Sequence, residues 1–249
     1  MRVLVTRPEP DATAMKAHLV AQGHDVLIEP LMDIRFDDLD PIELEGVQAL
    51  IATSRNGLRA LAASPEFEAA RQLPLFAVGP GTAATARGLG FEIVIQGPGT
   101  GRELVAFITD GVDVNVGSLL HLAGDVLAFD FATELARLGY HVLQPLVYIA
   151  EPVDRLSGST ATRLRNGQIE AVLLLSPMTA QTYADLVVHH ELTDAVRGVI
   201  HYCISQATAA RLAALGQLKV EIAAAPNLKE MLALTARAAP QSSPSTNQN

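Results

Sequence analysis

The chain resembles itself. Gly23-His24-Asp25-Val26-Leu27 is answered 116 residues on by Gly139-Tyr140-His141-Val142-Leu143, and Pro30-Leu31-Met32-Asp33-Ile34 is answered 115 residues on by Pro145-Leu146-Val147-Tyr148-Ile149. Ile51-Ala52-Thr53-Ser54 corresponds to Leu173-Leu174-Leu175-Ser176 at an offset of 122, and Thr82-Ala83-Ala84-Thr85-Ala86-Arg87 to Thr208-Ala209-Ala210-Arg211 after a gap. Glycines that end helices and apolar strands that follow them recur in any βαβ unit, which explains single matches. It does not explain their common order and near-constant spacing. Solenoid repeats run about 20–50 residues, so a period this long predicts two copies of one domain.

Within each copy, short β-rich runs alternate with helical stretches. Val3-Leu4-Val5 leads to a helix from about Asp11 to Gln22, closed by Gly23, and then to Val26-Leu27-Ile28. Further strands are expected at Ala49–Ala52, Leu75–Val78, Glu92–Ile95 and Leu119–Leu122. This alternation predicts an α/β fold of two similar domains, each a parallel sheet flanked by helices. With no Trp, only 4% aromatic residues and 49% hydrophobic residues overall, the cores must be built from Ala, Val, Leu and Ile, as helix-covered parallel sheets are.

Both copies carry an extended Pro-Leu-x-x-Ile piece, where Pro can start but not interrupt a strand. These pieces are expected to form a two-stranded linker, with a ligand cleft between the domains. The first domain is then discontinuous, 1–33 and 150–239, and the second spans 37–146. Residues 240–249, Pro, Ser, Gln and Asn with nothing to bury, are expected to be disordered.

Charge excludes some partners. Lys and Arg total 18 against 27 Asp and Glu, which disfavours nucleic acid and anionic membrane. No apolar run approaches a membrane span or the core of a signal peptide. The single cysteine, Cys203, can form no intrachain disulfide and has no second thiol for a metal. A cytoplasmic location is expected.

Ligands of open parallel sheets sit beyond the carboxyl ends of the strands. The turns there are Thr6-Arg7-Pro8, Thr53-Ser54-Arg55-Asn56, Gly79-Pro80-Gly81-Thr82, Gly97-Pro98-Gly99-Thr100-Gly101, Ala123-Gly124-Asp125, Ser176-Pro177-Met178-Thr179, Ser205-Gln206-Ala207-Thr208 and Ala225-Pro226-Asn227. Singly, each Ser, Thr or Asn reads as an ordinary N-cap. Together the turns offer many backbone N–H groups at helix N-termini, which bind carboxylate or phosphate without positive side chains.

Gly79 to Ala84 fits the Gly-x-Gly-x-x-Ala dinucleotide pattern, but the acid expected at the end of the next strand is replaced by Gln96-Gly97. Arg102-Glu103 stands where a Walker Lys-Ser/Thr would be needed. The adjacent His189 and His190 point about 100° apart on a helix and cannot converge on a metal. Tyr148, on the second crossing piece, is either a core or hinge tyrosine or a phenol that donates a proton to a leaving hydroxide.

Thr6-Arg7-Pro8, Gly23 to Leu31, Thr53-Ser54-Arg55-Asn56 and Val78-Gly79-Pro80-Gly81-Thr82-Ala83, in that order, resemble the motifs of uroporphyrinogen-III synthases. The likeness covers Met1 to about Arg237. It implies a monomeric, cofactor-independent lyase that closes the linear tetrapyrrole hydroxymethylbilane, with loss of water and inversion of ring D, in heme biosynthesis. It also implies that ring D is attacked through a spiro intermediate, and it allows a transient contact with the preceding pathway enzyme.

By the same resemblance Tyr148 assists hydroxide loss. Thr82, Thr100, Gly101, Ser176 and Thr208 fall at substrate-contacting turns, and Arg7, Ser54 and Arg55 are further contacts. No metal is implied. A two-domain small-anion-binding protein and a nucleotide-dependent α/β enzyme stand as the alternatives.

Overall fold

The computed structural model describes residues 1–37 and 39–237; the tail expected at 240–249 lies outside them. The chain divides into two compact units, one formed by Met1–Asp33 with the chain from Pro152 onward, the other by Ile34–Glu151. The first unit opens with β1 (Arg2–Val5), α1 (Asp11–Ala21) and β2 (Asp25–Ile28), and β3 (Met32–Arg35) follows. The second contains β4 (Val47–Ala52), α2 (Arg55–Ala62), α3 (Phe67–Ala70), β5 (Leu75–Ala77), α4 (Pro80–Gly88), β6 (Val94–Gln96), α5 (Gly101–Gly111), β7 (Ser118–His121), β8 (Ala123–Gly124), α6 (Phe131–Ala136) and β9 (Val142–Leu143). After β10 (Leu146–Pro152), the first unit resumes with α7 (Gly158–Arg165), β11 (Ala171–Leu174), α8 (Pro177–His189), β12 (Ile200–Cys203), α9 (Gln206–Ala210), β13 (Lys219–Ile222) and α10 (Leu228–Arg237).

The duplication read from the sequence is borne out in topology. The first unit's sheet has the order β13-β12-β11-β1-β2 and the second unit's has β6-β5-β4-β7-β9. Every strand pair in both is parallel. Matching β11 to β4, β12 to β5, β13 to β6, β1 to β7 and β2 to β9 makes the two orders identical. They differ only in where the chain enters. The expected crossing pieces are strands too, in a sheet of order β3-β10-β8.

Each five-stranded sheet is packed with helices on both faces, and the strand period of two sorts the side chains of its inner strands. In the first unit Leu4, Val172, Leu174 and Cys203 pack with α7 and α8 through Leu164, Tyr183 and Val187. Val3, Val5, Leu173 and Tyr202 pack on the opposite face with α1 and α10 through Met15, Leu19 and Met231. In the second unit Leu50, Ala52, Leu75 and Leu120 meet α2 and α4 through Leu58, Leu61, Ala83 and Ala86. Ala49, Ile51, Phe76 and Leu119 meet α5 and α6 through Leu104, Ile108 and Leu135. Runs such as Ala-Leu-Ile-Ala stay apolar without alternation because both faces are covered.

Local expectations hold with small shifts. α1 closes at Gln22, and Gly23 follows at φ +82°, a conformation that carries no Cβ penalty for glycine. β6 starts at Val94 rather than Glu92, because β5 is its one partner and their register begins at Leu75↔Val94. Among the described residues, no helix is long and apolar enough to cross a membrane.

Candidate active site

In both sheets the strand order reverses at one place, between β4 and β7 in the second unit and between β11 and β1 in the first. Connections run toward opposite edges from there, leaving a crevice beyond the carboxyl ends where ligands of such sheets bind. In the second unit Thr53-Ser54-Arg55 follows β4, and Leu122 with Ala123-Gly124 follows β7. In the first unit Leu175-Ser176 follows β11 and Thr6-Arg7 follows β1. Of the residues singled out from the sequence, Arg7, Ser54, Arg55 and Ser176 therefore lie at switch points.

Close backbone approaches gather the second unit's turns into one cluster. A Cβ on Gly81 would lie 2.6 Å from a guanidinium nitrogen of Arg55, and one on Gly79 would lie 3.4 Å from the Cα of Gly99. The turns after β4, β5 and β6 thus adjoin. Tyr148 joins them through register, since it pairs with Gly124 where β10 meets β8. A Cβ on Gly124 would lie 2.4 Å from Tyr148 Cζ and 2.7 Å from its hydroxyl oxygen. The phenol packs against the one residue type that leaves room for it.

The predicted hydroxyls in this unit do different jobs. Ser54 caps α2 by accepting from the Asn56 N–H at 3.1 Å, and its hydroxyl acts on Tyr148 in the direction that lowers the phenol's pKa. Thr82 is buried in the first turn of α4. Thr100 is exposed and caps α5, accepting from Glu103 N–H at 3.3 Å while donating to its carboxylate at 2.6 Å. Gly101 gives space to Phe129, whose Cβ is 2.6 Å from where a side chain would begin.

Burial raises the pKa of Tyr148, and the nearby charge of Asp125 adds to the rise against the opposing pull of Ser54. The phenol stays protonated at neutral pH, as a proton donor must. Asp125 also accepts the Ala150 N–H at 3.0 Å, tying the turn after β8 to β10 beside Tyr148.

In the first unit three helices start on the same Ser-x-x-Thr device. Ser157, Ser176 and Ser205 accept from the N–H of Thr160, Thr179 and Thr208 at 3.2, 3.0 and 3.2 Å. Their hydroxyls meet those of the same threonines at 3.0, 2.8 and 3.0 Å. The chain itself shows what such a turn does with a carboxylate. Glu29 is seated on the start of α7 by Ser157 N–H at 2.6 Å, Ser157 Oγ at 2.7 Å and Thr160 Oγ1 at 2.7 Å. Charge-assisted bonds at a helix N-terminus have this geometry.

Ser176, half-buried at the switch point, presents the same device. Thr208 is 0% exposed, so it braces Ser205 and offers no surface of its own. Arg7 pairs with Asp11 at 2.9 Å, beside Thr6, which ties β1 to β11 by donating to Leu173 O at 2.7 Å.

Sequence reasoning passed over Gly124 and the pair Thr53 and His121 as individual residues. The signal for Gly124 was its place in a strand-end turn, and Tyr148 gave no sign of needing a bare backbone opposite it. Gly79 to Ala84 does have the strand, turn and helix context of a dinucleotide site, but the Arg55 guanidinium covers Gly81, where a pyrophosphate would approach. His190 accepts the Leu156 N–H at 3.1 Å and so holds a turn. Among the described residues no group of three or more His, Cys, Asp or Glu is placed to hold a metal.

The fold and these turns define a doubled α/β protein with amide- and hydroxyl-rich strand ends and a half-buried, protonated phenol. Its sequence from 13 to 233 matches the family described as Uroporphyrinogen-III synthase HemD, and the chain belongs to that family, whose members are lyases of tetrapyrrole biosynthesis. Among solved structures, a uroporphyrinogen-III synthetase from Helicobacter pylori is similar with a TM-score of 0.62 at 20% identity, covering 96% of this chain and 100% of that one. A mutant uroporphyrinogen III synthase from Thermus thermophilus gives 0.55 at 19% identity, covering 96% and 98%. At these identities the likeness speaks for the fold. A search of curated proteins gave no match.

Proposed function

We propose that the chain converts hydroxymethylbilane to uroporphyrinogen III, with Tyr148 as the proton donor to the departing hydroxyl group. The observation that carries this reading is the phenol packed against Gly124 and kept protonated by burial and by Asp125. In the first step the C–O bond of the terminal hydroxymethyl group breaks, pushed by the electrons of its pyrrole. The phenol proton leaves with the oxygen as water. The resulting cation is attacked by ring D at its substituted carbon. After the spiro intermediate has opened and reclosed, the proton lost on rearomatisation balances the one supplied.

The rest of the task is positioning, because a flexible chain of four pyrroles closes unaided in the wrong sense unless held. Peripheral carboxylates are assigned to the strand-end turns of each unit. Ser54, Arg55, Thr82, Thr100 and Gly101 serve in one, and Arg7, Ser176 and the turn that Thr208 braces serve in the other. Glu29 on α7 supports the assignment as a carboxylate already bound by such a turn. The protein acts in the cytoplasm as a monomer without a cofactor, and receives its labile substrate in a transient contact with the enzyme that makes it.

Tyr148→Phe tests the proton-donor role. The variant should fold with unchanged circular dichroism and lose about tenfold or more in rate, the low end of general-acid effects. An unchanged rate would remove Tyr148 from the chemistry.

A further inference from the structure

We propose that Thr53 reads a pyrrole N–H of the substrate, held as a hydrogen-bond acceptor by His121 and Gln144. The proposal rests on the bilane reading above. His121 ends β7 at the switch point and is 1% exposed. Its Nδ1 lies 2.9 Å from Gln144 Oε1 and its Nε2 lies 3.2 Å from Thr53 Oγ1, while its ring packs edge-on against Phe131 with centroids 5.1 Å apart. The three polar side chains stand at the carboxyl ends of the neighbouring strands β4, β7 and β9.

The polarity of this row follows from donor and acceptor inventories. Burial lowers the pKa of His121, so the ring is neutral at working pH and carries one N–H. The oxygen of Gln144 can only accept, which places that proton on Nδ1 and leaves Nε2 bare. Nε2 then takes the hydroxyl proton of Thr53. A threonine has one such proton, so what Thr53 still offers from its half-buried place at the end of β4 is a lone pair.

The backbone amides and the guanidinium of the adjoining turns have the opposite polarity. The N-terminal amides of α2, α4 and α5 and the Arg55 guanidinium are donors, suited to carboxylates and unable to hold another N–H. A polypyrrole carries both kinds of group, with acids on its periphery and N–H donors along its backbone. An acceptor of fixed polarity among donors tells the two apart. His121 and Gln144 are positioning residues here, acting through Thr53.

The test has a structural arm and a kinetic arm. Long-range 15N NMR of His121 in the intact protein should show Nδ1 protonated and Nε2 bare; the reverse tautomer would overturn the proposal. Thr53→Val, which keeps the shape without the oxygen, should raise KM for hydroxymethylbilane about five- to tenfold with little change in kcat, the signature of one lost ground-state hydrogen bond. Thr53→Ser should recover most of the loss. Gln144→Met should raise KM in the same way, and Gln144→Glu, which still accepts from Nδ1, should bring it back toward wild type. Unaltered KM in Thr53→Val with an active wild type would defeat this inference alone, whereas a wild type that forms no type III product would defeat the bilane reading itself.

Discussion

Gly124→Ala is the substitution in which a single carbon should do the most damage to function with the least to the fold. Gly124 is not among the glycines with positive φ, so alanine meets no backbone penalty. The new Cβ would lie 2.4 Å from Tyr148 Cζ, and ordinary carbon contacts begin near 3.5 Å. The ring or the β8 backbone must therefore give way by about 1 Å. In a well-packed place such a shift costs about 1–3 kcal/mol of stability, and a misplacement of about 1 Å at a reacting group costs on the order of 100-fold in rate. The assay is the rate of type III formation in Gly124→Ala, Tyr148→Phe and the double variant, each checked for folding by circular dichroism. If Gly124 acts through Tyr148, the double variant is about as slow as the slower single one, because the alanine has no hydroxyl left to misplace. Fully additive losses, or a Gly124→Ala protein as fast as wild type, would refute the reasoning.

Further outcomes concern the scaffold. Burial holds the pKa of His201, which touches the Tyr183 hydroxyl at 3.3 Å, down at about 4 from 6.5. Both states are neutral above pH 6.5; as pH falls, the unfolded chain takes up the proton first, and stability should decline by up to ~3 kcal/mol before pH 4. Urea midpoints measured from pH 7 to 4 should show this slope, and a His201→Gln variant with an identical slope would sink the assignment. Ser157→Ala removes the cap of α7 and one of the bonds to Glu29, and should cost about 1–2 kcal/mol; a change in melting temperature within error would show that the Glu29 seat contributes nothing.

Much of the fold was legible because its causes are periodic. Gly23 and Gly139, each closing a helix before an apolar strand, betrayed the duplication, and the strand orders of the two sheets repeat one another. The crossing pieces could be found because Pro30 and Pro145 can begin a strand but not interrupt one. The site was less legible because its geometry comes from pairs remote in sequence. Tyr148 was identified by the motif around it, but Gly124 beneath it and Asp125 beside it become visible only when β8 pairs with β10. Thr53, His121 and Gln144 lie at the ends of separate strands, and nothing local marks them as one row. Thr208 shows the opposite failure: its motif points to the ligand, while its burial assigns that surface to its neighbours.

The central claim is that this chain directs closure of the bilane, and the isomer ratio of the product tests it most directly. Fresh hydroxymethylbilane is incubated with and without the purified protein, no cofactor added, and the uroporphyrinogens are oxidised and separated by chromatography. The account predicts a change from type I in the control to predominantly type III with the protein. Type I alone, with folded protein in excess over substrate, would contradict it.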